Sequence, residues 1–231
     1  MRPRHERLLP LTAAVTRRAG LVHLAGASAL ALLGAALPGC ERERHAAQPV
    51  PAGATVLALG DSLTYGTGAS AGTAYPAVLA GLTGWHVVNA GVPGDASAQA
   101  LARLPALLAE HRPALVIVSI GGNDFLRRLP ESDTRTHVHA ICKQAQAAGA
   151  QVLLVAVPRA TVAAALGQMT DHTLYAEIAK DLKIPLQREG WGEVLSQADL
   201  RADAVHANAQ GYARFARLLY GTAVAVGLLA P

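Results

Sequence analysis

Five short apolar segments alternate with segments of helical periodicity, and this alternation limits the folds that the chain can adopt. The apolar segments cover about residues 55–59, 85–89, 114–120, 151–157 and 184–186, and the helical ones about 74–82, 97–110, 132–148, 172–182 and 208–225. Ala114–Ile120 (ALVIVSI) is almost wholly apolar, which is typical of a parallel strand covered on both faces. The alternation therefore predicts an α/β fold, a three-layer α/β/α flavodoxin-like sandwich around a parallel five-stranded sheet in the order 2-1-3-4-5.

The first 39 residues have the pattern of an export signal rather than of a folded domain. A segment with five arginines and one glutamate precedes the apolar and small residues of Ala19–Leu37, and Leu37–Cys40 (LPGC) resembles a bacterial lipobox. A basic start, an apolar middle and small residues at a cleavage site predict a signal peptide. We therefore expect a lipoprotein-type signal peptide over 1–39, a flexible tether over 40–53 and a folded domain over 54–231. Cys40 would carry the lipid that anchors the chain in the periplasm, to a membrane of the bacterial envelope; an uncleaved membrane anchor is the alternative.

Charge and cysteine content exclude two classes of protein. Residues 40–231 carry 15 basic and 15 acidic side chains, because five of the 20 basic and one of the 16 acidic residues lie in the predicted signal. A formally neutral domain without a basic stripe is not expected to bind nucleic acid. Only Cys40 and Cys142 are present, so a disulfide framework is excluded if Cys40 is lipidated, and Cys142 is predicted to pack as a small buried apolar residue.

Polar or glycine-containing loops follow the first three predicted strands. Ser62 follows the first strand, Gly91 the second and Asn123 the third. In the predicted strand order these three positions are neighbours at one edge of the sheet, where open α/β folds bind ligands. A hydroxyl group with a backbone N–H and a carboxamide beside it suits acyl transfer, since the donors can stabilise an oxyanion.

A possible base for Ser62 occurs just before the last predicted helix. Asp203 and His206 are three residues apart, a spacing at which the carboxylate can orient the imidazole and leave its other nitrogen facing a serine. The lipase-type G-x-S-x-G turn is absent because residue 64 is threonine. A dinucleotide-binding loop after Gly66 and Gly68 is disfavoured because residue 71 is alanine.

Taken together, these segments resemble the SGNH (GDSL-type) hydrolase family. The resemblance rests on four blocks, Gly60–Leu63, Asn89–Asp95, Gly121–Asp124 and Asp203–His206, and Leu101–Leu108 is similar to the periplasmic thioesterase/arylesterase/lysophospholipase branch. It implies that Ser62 is the nucleophile, His206 the base and Asp203 its orienting acid. It also implies an oxyanion hole formed by the Ser62 N–H, the Gly91 N–H and the Asn123 side chain. Two features depart from the family pattern: Ala207 replaces a common proline, and Gln187–Ser196 (QREGWGEVLS) does not resemble the aromatic-rich segment common in the branch.

The leading hypothesis is a monomeric serine esterase or thioesterase that uses no metal or cofactor. Its substrates would be small-molecule or lipid esters: aryl esters, acyl thioesters or lysophospholipids. A carbohydrate O-deacetylase with the same site is a second enzyme hypothesis, and a non-catalytic, envelope-anchored binding domain is a hypothesis of another class. Asp61, Asp95 and Asp124 border the blocks, and we expect them to hold loops by hydrogen bonds. Trp191 is interpreted as either lining the site or packing in the core.

Overall fold

The structure is a computed structural model, and it describes residues 47–159 and 169–230. The predicted signal peptide and Cys40 lie outside the described residues, so both stay predictions. No helix in the part of the chain that the structure describes is long and apolar enough to span a membrane.

A five-stranded parallel sheet forms the centre of the domain, as the sequence predicted. Its strands are β1 (Thr55–Gly60), β2 (His86–Gly91), β3 (Leu115–Ser119), β4 (Gln151–Val155) and β5 (Leu186–Gln187). They pair in the order β2-β1-β3-β4-β5, and every pair is parallel. β3 is buried along its whole length, which explains why its sequence is continuously apolar rather than alternating.

Helices cover both faces of this sheet. They are α1 (Ser62–Tyr65), α2 (Tyr75–Thr83), α3 (Ser97–His111), α4 (Gly122–Leu126), α5 (Glu131–Ala147), α6 (Thr173–Leu182), α7 (Gly190–Leu195) and α8 (Ala209–Ala225), with 3₁₀ turns at Ala71–Thr73 and Ala198–Leu200. α2 and α7 pack against α8, whereas α5 packs against α3 and α6. These two helical groups are the outer layers of the predicted sandwich.

The strand register brings the ends of the first three strands to one edge. Gly60 at the end of β1 is opposite both Gly91 of β2 and Ser119 of β3. Ser62 follows the end of β1, the loop from Val92 to Ala96 follows the end of β2, and Asn123 follows the end of β3. The register therefore places the first three sequence blocks side by side.

Three short helices were not predicted from the sequence. α1 and α4 begin with only one or two residues between them and the preceding strands, where glycine and small polar residues had indicated loops, and α7 lies within Gln187–Ser196. None of the three is longer than six residues, so no apolar periodicity can develop along them.

The segment before residue 54, predicted to be a flexible tether, is partly packed onto the domain. Val50 is buried, its N–H donates to Leu228 O, and its carbonyl accepts the Trp85 indole N–H at 3.0 Å. The side chain of Gln151 exchanges hydrogen bonds with the backbone of Gln48. Burial of an indole requires an acceptor, and Val50 supplies it, so the described part of the predicted tether is held against the domain at this point.

Candidate active site

Ser62 lies at the start of a helix that follows β1 directly. It is the first residue of α1, and Asp61, the residue before the helix, accepts the Leu63 N–H through its side chain at 3.0 Å. This contact satisfies one of the free N–H groups at the helix start. Ser62 itself is only partly buried. The nucleophile candidate is thus fixed through the backbone while its hydroxyl remains accessible.

The structure brings Ser62, His206 and Asp203 together in one chain of hydrogen bonds. The distance from Ser62 Oγ to His206 Nε2 is 2.9 Å, and that from His206 Nδ1 to Asp203 Oδ2 is 2.8 Å. An ionised carboxylate can only accept, so Nδ1 carries the proton, and Nε2 of a neutral ring is left to accept from the serine hydroxyl. This arrangement is the one a general base needs to activate a serine.

The segment that carries the acid and the base is closed by its own backbone. Ala202 N–H donates to His206 O, and Arg201 and Ala207 form an antiparallel bridge. Ala207, the position at which proline was expected, is fully buried. Tyr212 of α8, the helix that follows this segment, donates through its hydroxyl to Thr67 O at 2.7 Å, which ties α8 to the loop after Ser62.

Asp203 is half exposed, and hydrogen bonds from its neighbours stabilise its ionised carboxylate. Partial burial raises the pKa of its carboxyl, but hydrogen bonds from the His206 ring and from the Val205 and His206 backbone N–H groups outweigh burial and lower that pKa below its ordinary value. With about half of its side chain in solvent, the charge is screened, and its main effect is to orient the imidazole.

Asp61 is a buried carboxyl group beside this chain. Burial raises its pKa to about 6, although the Leu63 N–H and the nearby His206 act in the opposite direction. Asp61 accepts a hydrogen bond within its own loop, as the sequence analysis expected, and it contacts neither Ser62 Oγ nor the His206 ring by a hydrogen bond.

Gly91 lies close to α1, but its N–H already has a partner. A Cβ atom at residue 91 would lie 2.1 Å from Tyr65 N, so only glycine permits this contact between β2 and α1. The Gly91 N–H donates to Asn89 Oδ1 at 3.0 Å. The N–H predicted to hold an oxyanion at Gly91 therefore already donates within its own loop, and the packing of this glycine brings the second loop to Ser62.

Gly94, three residues later, has the available N–H. Asp95 N–H donates to Val92 O at 3.1 Å, and Gly94 has φ +84°, the pattern of a type II β-turn with Pro93 before the glycine. Within the described residues the Gly94 N–H makes no hydrogen bond. Sequence reasoning passed over Gly94, although Pro-Gly followed by an acidic residue is a recognisable turn signal.

Asn123 reaches the same turn from β3. It lies in α4, and its Nδ2 donates to Asp95 O at 2.9 Å. One of its two amide hydrogens is used in this contact, which leaves the other for a ligand. This hydrogen bond therefore holds Asn123, which follows β3, close to Gly94 in the loop that follows β2.

An ion pair links the nucleophile loop to this turn. Arg103 of α3 donates through Nε to Asp95 Oδ2 at 2.8 Å and through Nη2 to Gly60 O at 2.9 Å. Asp95 thus accepts from Arg103 through its side chain and from Asn123 through its carbonyl. All three strand ends are connected through these two residues.

Asp124 and Trp191 have structural contacts rather than contacts with Ser62. The buried Asp124 carboxylate accepts from the Ser97 N–H at 2.8 Å and from the Ser97 and Thr134 hydroxyls, so it holds α4 against α3 and α5. Trp191 is fully buried, stacks on Phe215 and donates to Ser119 Oγ. Trp191 packs in the core rather than lining the site.

Cys142 is buried, as predicted, and burial raises the pKa of its thiol to about 12. Among the described residues no group of three or more His, Cys, Asp or Glu side chains could hold a metal ion.

Comparison with known families agrees with this geometry. The sequence model of the GDSL-like lipase/acylhydrolase family matches residues 58–214, a range that includes every residue of the Ser62–His206–Asp203 chain. The chain belongs to this family. As a member of the GDSL-like family it is a hydrolase that acts on ester bonds, which confirms the resemblance described from the sequence blocks.

The GDSL-like chain is similar to characterised enzymes over most of the described domain. Thioesterase 1/protease 1/lysophospholipase L1 of Escherichia coli (strain K12) is 38% identical over 162 residues, which span 67% of this chain and 76% of the relative. Esterase TesA of Pseudomonas aeruginosa is 34% identical over 160 residues, 66% of this chain and 79% of the relative. The crystal structure of TesA superposes with a TM-score of 0.66 at 30% identity and covers 74% of this chain and 99% of its own.

Proposed function

We propose that this chain hydrolyses carboxylic esters and thioesters through an acyl-enzyme on Ser62, with His206 as the base and Asp203 as its orienting acid. The observation that carries this proposal is the 2.9 Å contact between Ser62 Oγ and His206 Nε2, in line with the 2.8 Å contact between His206 Nδ1 and Asp203. A hydroxyl group that shares its proton with a neutral imidazole is the usual form of an activated serine.

Acylation follows from this arrangement. Ser62 Oγ attacks the substrate carbonyl carbon while its proton passes to His206 Nε2, and the carbonyl electron pair moves onto oxygen. The tetrahedral intermediate then expels the alcohol or thiol, which takes the proton from His206. Asp203 stabilises the imidazolium between these two transfers without accepting its proton.

Three donors would hold the oxyanion: the Ser62 N–H, the Gly94 N–H and the Asn123 side chain. We choose Gly94 rather than Gly91 because the Gly91 N–H already donates to Asn89 whereas that of Gly94 has no partner within the described residues. Such fixed donors act where negative charge develops, so they lower the barrier without reorganising during the reaction.

Deacylation uses the same groups in reverse. A water molecule loses a proton to His206 Nε2 and attacks the acyl carbon, and the Ser62–acyl bond breaks as the proton returns to Ser62 Oγ. This second step requires only that water reaches the partly exposed serine, and it regenerates the starting enzyme.

The names of the relatives suggest the range of substrates. The similar enzymes are called a thioesterase, a lysophospholipase and an esterase, so we propose aryl esters, acyl thioesters and lysophospholipids as substrates. A hydroxyl nucleophile with a small oxyanion hole acts on the acyl carbonyl in each case, and the leaving group differs.

We also propose that the enzyme works in the periplasm, held to a membrane by a lipid on Cys40. The basic and apolar composition of residues 1–39 and the lipobox-like segment before Cys40 support this proposal. In the native host, Cys40→Ser is expected to release the protein from membranes or to leave an unprocessed precursor. A variant that still matures and remains membrane-bound would contradict anchorage at Cys40.

Turnover of p-nitrophenyl butyrate by Ser62→Ala, His206→Ala and the double variant tests the proposed mechanism. Each single change should remove most of the kcat, and the double variant should be little worse than either, because members of one proton-transfer unit are strongly non-additive. Activity of Ser62→Ala close to that of the wild type would contradict the mechanism. Multiplicative losses in the double variant would mean that the two residues act independently.

A further inference from the structure

Most of the large hydrophobic side chains that are exposed among the described residues adjoin the active site. Seven such side chains are exposed, and five of them belong to the loops and short helices that carry the site residues. We call these five the site rim: Tyr65, Val92, Leu126, Leu129 and Val205. Only Leu82 and Tyr220 lie elsewhere, in α2 and α8.

Chain position and two hydrogen bonds from side chains to backbone carbonyls place the rim residues beside the site loops. Tyr65 ends α1, three residues after Ser62, and its carbonyl accepts from Asn89 at the end of β2. Val205 is next to His206. Arg127, at the end of α4, donates to Gly94 O at 2.7 Å, so Leu126 lies beside the turn that Val92 begins.

Two arginines stand between the rim leucines. The sequence 126–129 is LRRL, and all four side chains are exposed. Arg128 adopts φ +55°, a left-handed conformation that L-residues seldom adopt. Neither Arg127 nor Arg128 forms an ion pair with the described residues, whereas Arg103, Arg135 and Arg214 do.

We propose that the site rim docks on an anionic phospholipid surface and that the enzyme takes ester substrates from that surface. This inference rests on the proposed function, because it names where the same site meets its substrate. Exposed apolar patches mark interaction sites, and two adjacent arginines between two exposed leucines suit the boundary between acyl chains and anionic headgroups. Arg127 and Arg128 favour a lipid surface over a groove that binds only an acyl chain, because such a groove would need no positive charge.

Docking in this manner places the mouth of the site against the lipid. Leu126 and Leu129 would leave water for the acyl region, while the guanidinium groups between them contact headgroup phosphates. Ser62 lies in the same short helix as Tyr65 of the rim, so an ester at the docked surface would reach it without crossing bulk water. Each lost leucine should then weaken productive docking by about tenfold, since burying one such side chain is worth roughly one order of magnitude or more in affinity.

A position-specific probe separates docking of the rim from any attachment by the N-terminal segment. Leu129 and Leu82 are both 42% exposed, but Leu82 is the second-last residue of α2, four residues before β2 begins, and so lies near the end of the sheet where the strands start. Leu129→Cys and Leu82→Cys are made in the full chain with Cys40→Ser, in which the other thiol, Cys142, is buried. Each protein is labelled with a nitrobenzoxadiazole fluorophore and mixed with vesicles that contain a spin-labelled quencher lipid.

In vesicles of equal parts phosphatidylcholine and phosphatidylglycerol, the label at position 129 should be quenched several-fold more than the label at position 82. Quenching at position 129 should fall in phosphatidylcholine vesicles, and Arg128→Gln should remove the difference between the two lipids. Equal quenching at both positions overturns the docking proposal. Equal quenching at position 129 in both lipids overturns its anionic preference.

Hydrolysis supplies the second readout. The double variant Leu126→Ser/Leu129→Ser should lose activity on a lysophospholipid carried in anionic vesicles and keep its activity on dissolved p-nitrophenyl acetate, whereas Leu82→Ser should keep both. Equal losses in the rim variant and in Leu82→Ser overturn the docking proposal. A wild-type protein that hydrolyses neither ester contradicts the proposed function instead, and the quenching result then decides docking separately.

Discussion

The side-chain carbonyl of Asn89 accepts the backbone N–H of Gly91 at 3.0 Å. This contact changes which glycine can serve an oxyanion, because a backbone N–H has one hydrogen and here it is already donated. The next glycine along the loop, Gly94, keeps its N–H without a partner within the described residues. Gly91 therefore permits close packing between β2 and α1, and Gly94 is the oxyanion donor that we propose.

Gly94→Ala is expected to lower kcat at least tenfold with a smaller change in KM, because a donor that is misplaced by a backbone shift stabilises the transition state less. A Cβ at residue 94 meets only the tip of Arg127 at 3.6 Å, so the substitution acts through its positive φ. Gly53→Ala is the matched control, since Gly53 has φ +79° and no atom near a Cβ. Kinetics and urea unfolding are measured on both variants.

Both glycine variants should lose about 1–2 kcal/mol of stability, the cost of placing an L-residue in the left-handed region. Only Gly94→Ala should lose turnover. If the two variants keep equal kcat, the Gly94 N–H is not an oxyanion donor.

Arg103→Ala should reduce kcat by about ten- to a hundredfold, the range expected when a reacting group is displaced by about 1 Å. The guanidinium joins Gly60 O to Asp95, and Asp95 O in turn accepts from Asn123. Its loss should therefore loosen the nucleophile loop and the oxyanion side chain together. Arg103 is a positioning residue, so KM should change less than kcat, and Arg103→Lys should restore part of the rate.

Arg214→Ala provides the comparison, because Arg214 also pairs with a carboxylate, that of Glu193. Removal of this exposed pair should change stability by less than about 1 kcal/mol and leave kcat unchanged. Equal kcat losses in both variants would show that Arg103 acts through general stability alone.

Asp61→Asn should stabilise the protein relative to the wild type increasingly as the pH rises from about 4 to 6. Burial raises the pKa of Asp61 from 3.8 to about 6, so the folded state holds this proton over a range in which the unfolded state has lost it. Ionisation above that range costs the wild type about 3 kcal/mol, which asparagine does not incur. Asparagine can still accept the Leu63 N–H.

Urea unfolding of both proteins at a series of pH values measures this difference. The difference in unfolding free energy between the variant and the wild type should grow through this range and level off above pH of about 6. A difference that stays constant with pH would mean that the Asp61 carboxyl titrates normally in the folded protein.

Much of the architecture could be predicted because it depends on local patterns. Continuous apolar strands such as Leu115–Ser119, separated by amphipathic helices, leave few alternatives to a doubly wound parallel sheet. The pairing of Asp203 with His206 depends on residues three apart, which the sequence shows directly. The distance between Ser62 and His206 could be inferred only from the family pattern, since 144 residues separate them.

Other features depend on contacts between distant residues that no local pattern reports. The hydrogen bond of the Gly91 N–H to Asn89 is visible only in the structure, and so is the turn that leaves the Gly94 N–H without a partner among the described residues. Arg103 belongs to the Leu101–Leu108 segment that resembles the family, but the sequence did not reveal that it donates to Asp95 and to Gly60 O. Val50 was assigned to a tether by composition, but the indole of Trp85 binds it to the domain.

Labelling with a fluorophosphonate, followed by mass spectrometry of the intact protein and of its peptides, tests the central claim most directly. An activated serine attacks the phosphorus and displaces fluoride, so the wild type should gain one phosphonyl group, located on Ser62. Ser62→Ala should not be labelled, and His206→Ala should be labelled far more slowly because its serine lacks a base. Labelling of a different residue, or unchanged labelling of His206→Ala, would contradict a nucleophilic Ser62 activated by His206.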